Sequence, residues 1–245
     1  MIKTLVAIEI DLASSLAIRF ACQLGGLMNM QIQPVYVKDS HCHDSVLGAG
    51  WASRTWEKEM VQQGTEEIAQ LVAGERDSCP ILEEPKVIYG DREGELLKIA
   101  QAEQFDVFIE GAHFPRTAGG VYKRLHTRLY QKIGCPVILV RALRKIEEVQ
   151  LLCLDIKGTE TLANIFRTIW HDCPLPLVLS YSAEATVAGG TNALREAVER
   201  ACSHLEKAGC TVTIQDRLSG IASGVAAEIM QDCGLIAIAV ERAAK

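Results

Sequence analysis

Apolar runs of strand length that alternate with helical patterns restrict the fold of this chain more than any other feature. Residues 4–10 form such a run, and Leu16, Phe20 and Leu24 then recur every four positions, as on one face of a helix. Parallel strands need crossover connections, which are usually helices, and apolar runs without polar alternation fit strands covered on both faces. The alternation therefore predicts an α/β fold built from open, mostly parallel, doubly wound sheets.

Five strands are predicted in the first half of the chain, at residues 4–10, 32–37, 85–89, 106–110 and 137–140. Ser14 or Ser15 is predicted to cap the first helix, because a hydroxyl accepts well from the exposed N–H groups of a first turn. Asp91 is predicted to open a later helix. After residues 111–119, one helix is expected to carry Leu125, Leu129 and Ile133 on a single face.

The pattern restarts after a charged stretch. Strands are predicted at residues 149–155, 177–181, 211–215 and 235–240, with helices at 159–170, 192–208 and 221–231 between them. This order repeats the first four strands of the chain and indicates an internal duplication. We expect a first domain at residues 1–141, a linker at 142–148 and a second, truncated domain at 149–245. The second domain has no predicted equivalent of the last loop, last helix and fifth strand.

Charge and hydropathy exclude several classes of function. Apolar residues make up 49% of the 245 residues, and the formal net charge is −6. Such a chain has enough apolar residues for a core and no general affinity for nucleic acid or anionic membranes. No stretch is long enough to span a bilayer. The N-terminus runs directly into a strand pattern containing Glu9 and Asp11, unlike a signal peptide, so we expect a cytoplasmic protein.

The nine cysteines are scattered, odd in number and without a C-x-x-C pair. Several, among them Cys22, Cys153 and Cys233, lie in apolar runs. Buried thiols behave as small apolar groups, and a cytosolic protein keeps them reduced. The cysteines are therefore expected to be buried free thiols.

Several segments of the first half together resemble the universal stress proteins. They are Leu5-Val6-Ala7-Ile8-Glu9-x-Asp11-x-x-Ser14, Pro34-Val35-Tyr36-Val37, Tyr89-Gly90, Asp106-Val107-Phe108-Ile109-Glu110-Gly111 and Gly134-Cys135-Pro136-Val137-Ile138-Leu139-Val140. The resemblance covers residues 1–141. The second half matches in element order and in Asp155, at the end of its first predicted strand.

The resemblance implies an ATP site whose phosphate loop is degenerate. ATP-binding members of the family carry Gly-x-x-Gly, about nine further residues and then Gly-Ser or Gly-Thr, because glycines let backbone N–H groups approach the phosphates. Gly111 matches the first glycine, but Phe114 stands at the second, and Lys123-Arg124 replace the Gly-Ser pair. Glu9 replaces the first-strand Asp of the family, and Val37 fits the position that contacts adenine.

A basic cluster near this loop has two interpretations. His113, Arg116, Lys123, Arg124, His126 and Arg128 lie close to the pair Gly119-Gly120. They either hold an anion or a nucleotide-like ligand, or they form the solvated face of a helix whose other face is apolar. The candidate binding residues are Glu9, Val37, Gly111, Gly119, Gly120, Lys123 and Arg124.

Other motifs indicate no metal site and no catalytic site. His41-Cys42-His43-Asp44 offers metal-ligand types, but no second ligand pair follows at a structural-zinc spacing, and the role of this segment stays open. No phosphate-binding Walker loop and no nucleophile elbow is present. Trp51 and Trp56 either anchor a partner or cover the neighbouring helix.

Three hypotheses of function follow. The first is a non-catalytic regulatory or scaffolding protein of the universal stress type, acting in the stress response through contacts with an unidentified protein partner. The second is a sensor that binds a nucleotide or another anion at the atypical loop from Gly111 to Arg124. The third is an enzyme of the adenine-nucleotide α-hydrolase-like class. We expect no cofactor beyond such a weakly bound nucleotide or anion, and a homodimer formed through the strand Val137–Val140, an apolar edge that invites strand pairing.

Overall fold

The structure, a computed structural model, describes residues 1–39, 51–112, 118–182, 191–216 and 234–240. It divides into two units, the first comprising Met1–Leu143 and the second beginning at Arg144. Residues 141–148, between the last strand of the first unit and the first strand of the second, contain no helix or strand.

The first unit contains a five-stranded, wholly parallel sheet in the order β3-β2-β1-β4-β5. Its strands are β1 (Ile2–Ile8), β2 (Met30–Asp39), β3 (Lys86–Gly90), β4 (Val107–Gly111) and β5 (Val137–Val140). β1 lies at the centre, where Val6 is paired with Pro34 on one side and Ile109 on the other. Each predicted strand of the first half is present, and the predicted α/β class is confirmed.

Helices cover both faces of this sheet. They are α1 (Leu12–Gly25), α2 (Trp51–Arg76), α3 (Arg92–Ala102), α4 (Ala118–Leu125) and α5 (Arg128–Lys132). One face carries Leu5 and Phe108, which share a core with α3 and α5. Because side chains alternate across a strand, Val6 and Ile109 point to the opposite face, where α1 lies against β1, β2, β4 and β5. The sheet is therefore buried on both sides, as its uninterrupted apolar runs predict.

Two predictions about the helices were wrong. Asp11 caps α1 by accepting from the N–H of Ser14 at 2.8 Å, whereas Ser14 lies inside the first turn and accepts from the N–H of Glu9 at 2.7 Å. The single helix predicted to carry Leu125, Leu129 and Ile133 is two helices, α4 and α5, and it breaks at Thr127, whose backbone is extended. By contrast, Asp91 does cap α3, accepting from the N–H of Gly94.

The second unit repeats the first with four strands. Its sheet has the order β8-β7-β6-β9 and is also wholly parallel. The strands are β6 (Val149–Leu152), β7 (Leu177–Tyr181), β8 (Val212–Asp216) and β9 (Leu235–Ile238), and the helices are α6 (Ile156–Ile169) and α7 (Thr191–Glu206). Asp155 caps α6 through the N–H of Gly158, as Asp11 caps α1. The predicted helix 221–231 lies outside the described residues.

The expectation that all cysteines are free thiols was wrong for one pair. Cys22 on α1 and Cys79 after α2 form a disulfide with a Cα–Cα distance of 5.7 Å. Cys153, Cys173 and Cys210 are buried thiols, as expected. Among the described residues, no helix combines the length and the apolar character that crossing a membrane requires.

Candidate functional site

The carboxyl ends of β1 and β4 define the place where a ligand is expected in this fold. The chain passes from β1 outward to β2 and β3, then crosses back to β4 on the other side of β1. Open α/β sheets bind ligands at such a switch point. A pocket of about 300 Å³ lies beside it, lined by Glu9, Ile10, Asp11, Tyr36, Val37, Asp39 and Arg92. The structure thus brings the candidate residues Glu9 and Val37 together in one pocket.

The lining of this pocket is predominantly acidic. Three carboxylates face it, against the single guanidinium of Arg92. Arg92 Nε lies 2.7 Å from Glu9 Oε1, and its Nη2 lies 3.3 Å from Glu110 Oε2. Burial, followed by the carboxylates of Glu67 and Glu9, raises the pKa of Tyr36 to about 12. This surface repels phosphate groups more than it attracts them.

Glu110 is the central charged residue of the site. It lies on β4 with its side chain 2% exposed, on the sheet face that is covered by α3 and α5. Arg124 Nε donates to Glu110 Oε1 at 2.9 Å, and the hydroxyl of Tyr130 donates to the same oxygen. With Arg92 on the other carboxylate oxygen, three donors from α3, α4 and α5 meet on one buried carboxylate. A buried carboxylate requires such compensation, since its desolvation costs several kcal/mol.

The electrostatics keep Tyr130 and Arg124 protonated, so both can donate to Glu110. Burial raises the pKa of Tyr130, and the Glu110 carboxylate raises it further, so the phenol remains a donor. Burial alone would lower the pKa of Arg124, but Glu110 outweighs this effect and the pKa is raised. The guanidinium also lies 4.9 Å from the centre of the Tyr130 ring, an arrangement that favours a cation. We call Glu110, Arg92, Arg124 and Tyr130 the Glu110 cluster.

The side chains of the adjacent residues Lys123 and Arg124 lie in different surroundings. Lys123, in the last turn of α4, is exposed, whereas Arg124 is 24% exposed and bound to Glu110. A continuous amphipathic helix would have placed both on its solvated face. Gly119 and Gly120 lie inside the first turn of α4, and not in a loop ahead of it.

Gly111 is required by packing between β4 and α1. A Cβ atom at this position would overlap the backbone carbonyl of Ala13. The glycine therefore lets the first turn of α1 approach the end of β4, whatever its relation to a ligand. Phe114, at the second glycine position of the loop, lies outside the described residues, as do His113 and Arg116.

The remaining sequence candidates contribute little to this site. Within the described ranges, no group of three or more His, Cys, Asp or Glu residues is placed to hold a metal ion. The segment His41-Cys42-His43 falls outside those ranges. Trp56 packs edge-to-face on Tyr89, with ring centres 4.9 Å apart, so its side chain lies between α2 and β3. The side chain of Trp51 is outside the described part.

Sequence reasoning missed Glu110 as a functional residue. The one available signal was a carboxylate within an otherwise apolar strand, Val107-Phe108-Ile109-Glu110. Buried charges are rare unless they are paired, so this signal predicts a cationic partner without identifying it. Its partners come from three helices, one before β4 and two after it, and are 14 to 20 residues away in the chain.

A parallel open sheet that is covered by helices, with a polar cluster at the β1–β4 switch point, defines a doubly wound α/β fold. No protein-family model matches the sequence, and curated proteins give no significant match. Among solved structures, a universal stress protein from Archaeoglobus fulgidus is 16% identical and has a TM-score of 0.61. That match covers 96% of this chain and 83% of the Archaeoglobus protein. The chain therefore has the universal stress protein fold.

Two further structures match about the length of one unit. Universal stress protein UspA from Lactobacillus plantarum is 16% identical, covering 57% of this chain and 97% of its own, with a TM-score of 0.42. A universal stress family protein from Arabidopsis thaliana, with AMP bound, is 13% identical, covering 58% and 92%, with a TM-score of 0.37. At such identities the similarity concerns the fold alone.

Proposed function

We propose that this chain is a non-catalytic regulatory or scaffolding protein of the universal stress type, working in the cytoplasm through contacts with other proteins. The observation that carries the proposal is the Glu110 cluster. Arg92 and Arg124, at the carboxyl edge of the first sheet, are bound to protein carboxylates. A site for phosphates needs cations that are available to the ligand, and here the two arginines already have internal partners.

Moving either arginine from its carboxylate partner to a ligand costs free energy. If Arg124 turned away, the carboxylate of Glu110 would keep only Tyr130 and the longer contact with Arg92. A buried charge that loses its partner costs about 3–5 kcal/mol. A phosphate would also approach Glu9, Asp11 and Asp39, and each like-charge contact at 4 Å costs roughly 1–4 kcal/mol. Tight binding of a nucleotide at this edge is therefore disfavoured.

The second candidate, a nucleotide or anion sensor, is favoured by one feature. Lys123 is an exposed cation at the end of α4, one residue from the Glu110 cluster. A weak ligand held by Lys123 alone requires no change in that cluster. This candidate predicts that binding depends on Lys123 and on salt concentration.

ATP is expected to bind weakly or not at all. Calorimetry on the full chain should give no dissociation constant near or below about 1 μM, which corresponds to about −8 kcal/mol. Thermal unfolding with ATP supplies a second measure, since a ligand that binds only the native state raises its melting temperature.

Two variants separate the candidates if ATP does stabilise the protein. Lys123→Ala should abolish the stabilisation if the sensor hypothesis is right, while the matched variant Lys132→Ala, at the end of α5, should keep it. Micromolar binding that survives Lys123→Ala would contradict both accounts of the site.

We also propose that the first unit forms a homodimer through β5. β5 is the edge strand of its sheet, and Val137, Ile138 and Leu139 are only partly buried. Val137 and Leu139 pack on the core shared with α3 and α5, so Ile138 projects to the opposite face. The exposed backbone groups of an apolar edge strand favour pairing with another strand. In a dimer with a two-fold axis, the same strand of each copy forms the contact.

Ile138→Lys is expected to convert this dimer to a monomer. In an antiparallel two-fold pair the two introduced charges lie close together, so one substitution acts twice. Light scattering at micromolar concentration measures the change, and thermal unfolding verifies that the variant remains folded. Leu154→Lys, at an apolar position of the second unit that is 50% exposed, is the control and should stay dimeric. A monomeric parent protein would contradict the proposal directly.

A further inference from the structure

The disulfide Cys22–Cys79 fastens one connecting segment to the first unit. This segment, residues 77–85, joins α2 to β3 and contains no helix or named strand. Cys79 is 2% exposed and is joined to Cys22 in the last two turns of α1. The two cysteines are 57 residues apart in the chain. The bridge therefore ties a long loop, which includes the whole of α2, to α1.

Most other contacts of this segment go to β2, where Leu82 bridges Ile32 and Gln33 Nε2 donates to the carbonyl of Glu84 at 2.7 Å, and few reach α1. The N–H of Glu83 donates to the carbonyl of Ile32 at 3.0 Å, and Ile81 packs where Gly25 leaves space on α1. Arg76 pairs with Glu84 at 2.7 Å, but the side chain of Glu84 is 83% exposed. Such an exposed pair adds little stability. The covalent bridge is therefore the strongest tie between residues 77–85 and α1.

We propose that Cys22–Cys79 is a reversible redox clasp, which a dithiol reductant opens in the native protein to release residues 77–85 from α1. Five other cysteines of the described part are thiols: Cys135, Cys153, Cys173, Cys202 and Cys210. A chain that keeps several thiols beside one disulfide differs from the fully bridged domains of oxidising compartments. In reducing compartments a disulfide is usually transient and serves catalysis or redox sensing.

The exchange begins at the accessible side of the bridge. Cys22 is partly exposed and Cys79 is buried, so the thiolate of the reductant attacks the Sγ of Cys22. A mixed disulfide forms, the S–S bond breaks, and Cys79 leaves as a thiolate that takes up a proton. The second thiol of the reductant then attacks the mixed disulfide, releasing Cys22. The protein gains two electrons and two protons, and the dithiol becomes a disulfide.

Opening the clasp should loosen the end of α2 and the segment after it. Without the bridge, the unfolded chain regains the conformational freedom of a long loop, which lowers the stability of the folded unit. Local opening should increase most where few buried contacts remain. Arg76, the last residue of α2, is a trypsin site at the start of this segment, so it reports such opening directly.

The test uses the full chain equilibrated in defined mixtures of reduced and oxidised dithiothreitol. After quenching with N-ethylmaleimide and denaturation, peptide mapping should find Cys22 and Cys79 protected under oxidising conditions and labelled under reducing conditions. Reduction should lower the melting temperature by roughly 5–15 °C and accelerate tryptic cleavage after Arg76. Reoxidation without unfolding should restore both values.

Three variants make the assignment specific. Cys22→Ala and Cys79→Ala should each remove the response to the reductant, in melting temperature and in cleavage after Arg76. Cys202→Ala, at a partly exposed thiol of the second unit, should respond like the parent protein. Labelling of Cys22 and Cys79 under oxidising conditions would overturn the proposal. So would a bridge that the dithiol reduces only after the protein has unfolded, since it would then be a permanent crosslink.

Discussion

Glu110→Ala is expected to lower the stability of the first unit by about 3–5 kcal/mol. The substitution removes the carboxylate that neutralises Arg124 and accepts from Tyr130. It therefore leaves a guanidinium and a buried phenol without their partner, and it adds a cavity. Few single substitutions have effects of this size, and those that do commonly leave a buried charge unpaired.

The measurement has to report on the first unit alone, because a two-unit chain need not unfold in one step. The chain has three tryptophans, of which Trp51 and Trp56 are in the first unit and Trp170 is in the second. A Trp170→Phe background makes tryptophan fluorescence specific for the first unit during urea unfolding.

Two comparisons show whether the Glu110 cluster is the cause. Glu103→Ala breaks the exposed pair with Lys86, whose side chains are 39% and 37% exposed, and should cost about 1 kcal/mol or less. Adding Arg124→Ala to Glu110→Ala should cost less than the sum of the single variants, because the two side chains share one interaction. A Glu110→Ala effect as small as that of Glu103→Ala would show that the cluster is not a structural centre of the site.

The sheets were predictable because the signal is local. A strand buried on both faces needs an uninterrupted apolar run, as in Val107-Phe108-Ile109, and a helix ahead of the next parallel strand follows from connectivity. The repeated order of the second unit was visible for the same reason. These features depend on residues that are neighbours in the sequence.

The site was less predictable because its partners are set by tertiary structure. The helical period placed Arg124 beside Lys123 on a solvated face, but the break at Thr127 separates α4 from α5, and Arg124 binds Glu110. The cap of α1 was misassigned because Asp11 and Ser14 are both good capping residues. Cys22 and Cys79 are 57 residues apart, and no local pattern indicates that they meet.

Gly111→Ala tests whether the glycine at the end of β4 is needed for packing against α1 or for binding a ligand. A Cβ atom there would overlap the carbonyl of Ala13, part of the α1 backbone, and backbone cannot move aside as a flexible side chain does. We expect a loss of about 2–3 kcal/mol in the stability of the first unit, the usual upper range for overpacking. Urea unfolding in the Trp170→Phe background measures it.

Gly134→Ala is the matched control, since a Cβ atom at Gly134 meets no atom within 4 Å. Its effect should stay within about 0.5 kcal/mol. The pair of variants also bears on function, because Gly111 occupies the position of the first glycine in the phosphate loop of the resembled family. If Gly111→Ala unfolds readily while Gly134→Ala does not, the packing of α1 on β4 suffices to explain the glycine. If Gly111→Ala keeps its stability but loses a nucleotide that the parent protein binds, the glycine serves a ligand. The proposal that this site binds no nucleotide tightly, because its arginines are bound to protein carboxylates, is then wrong.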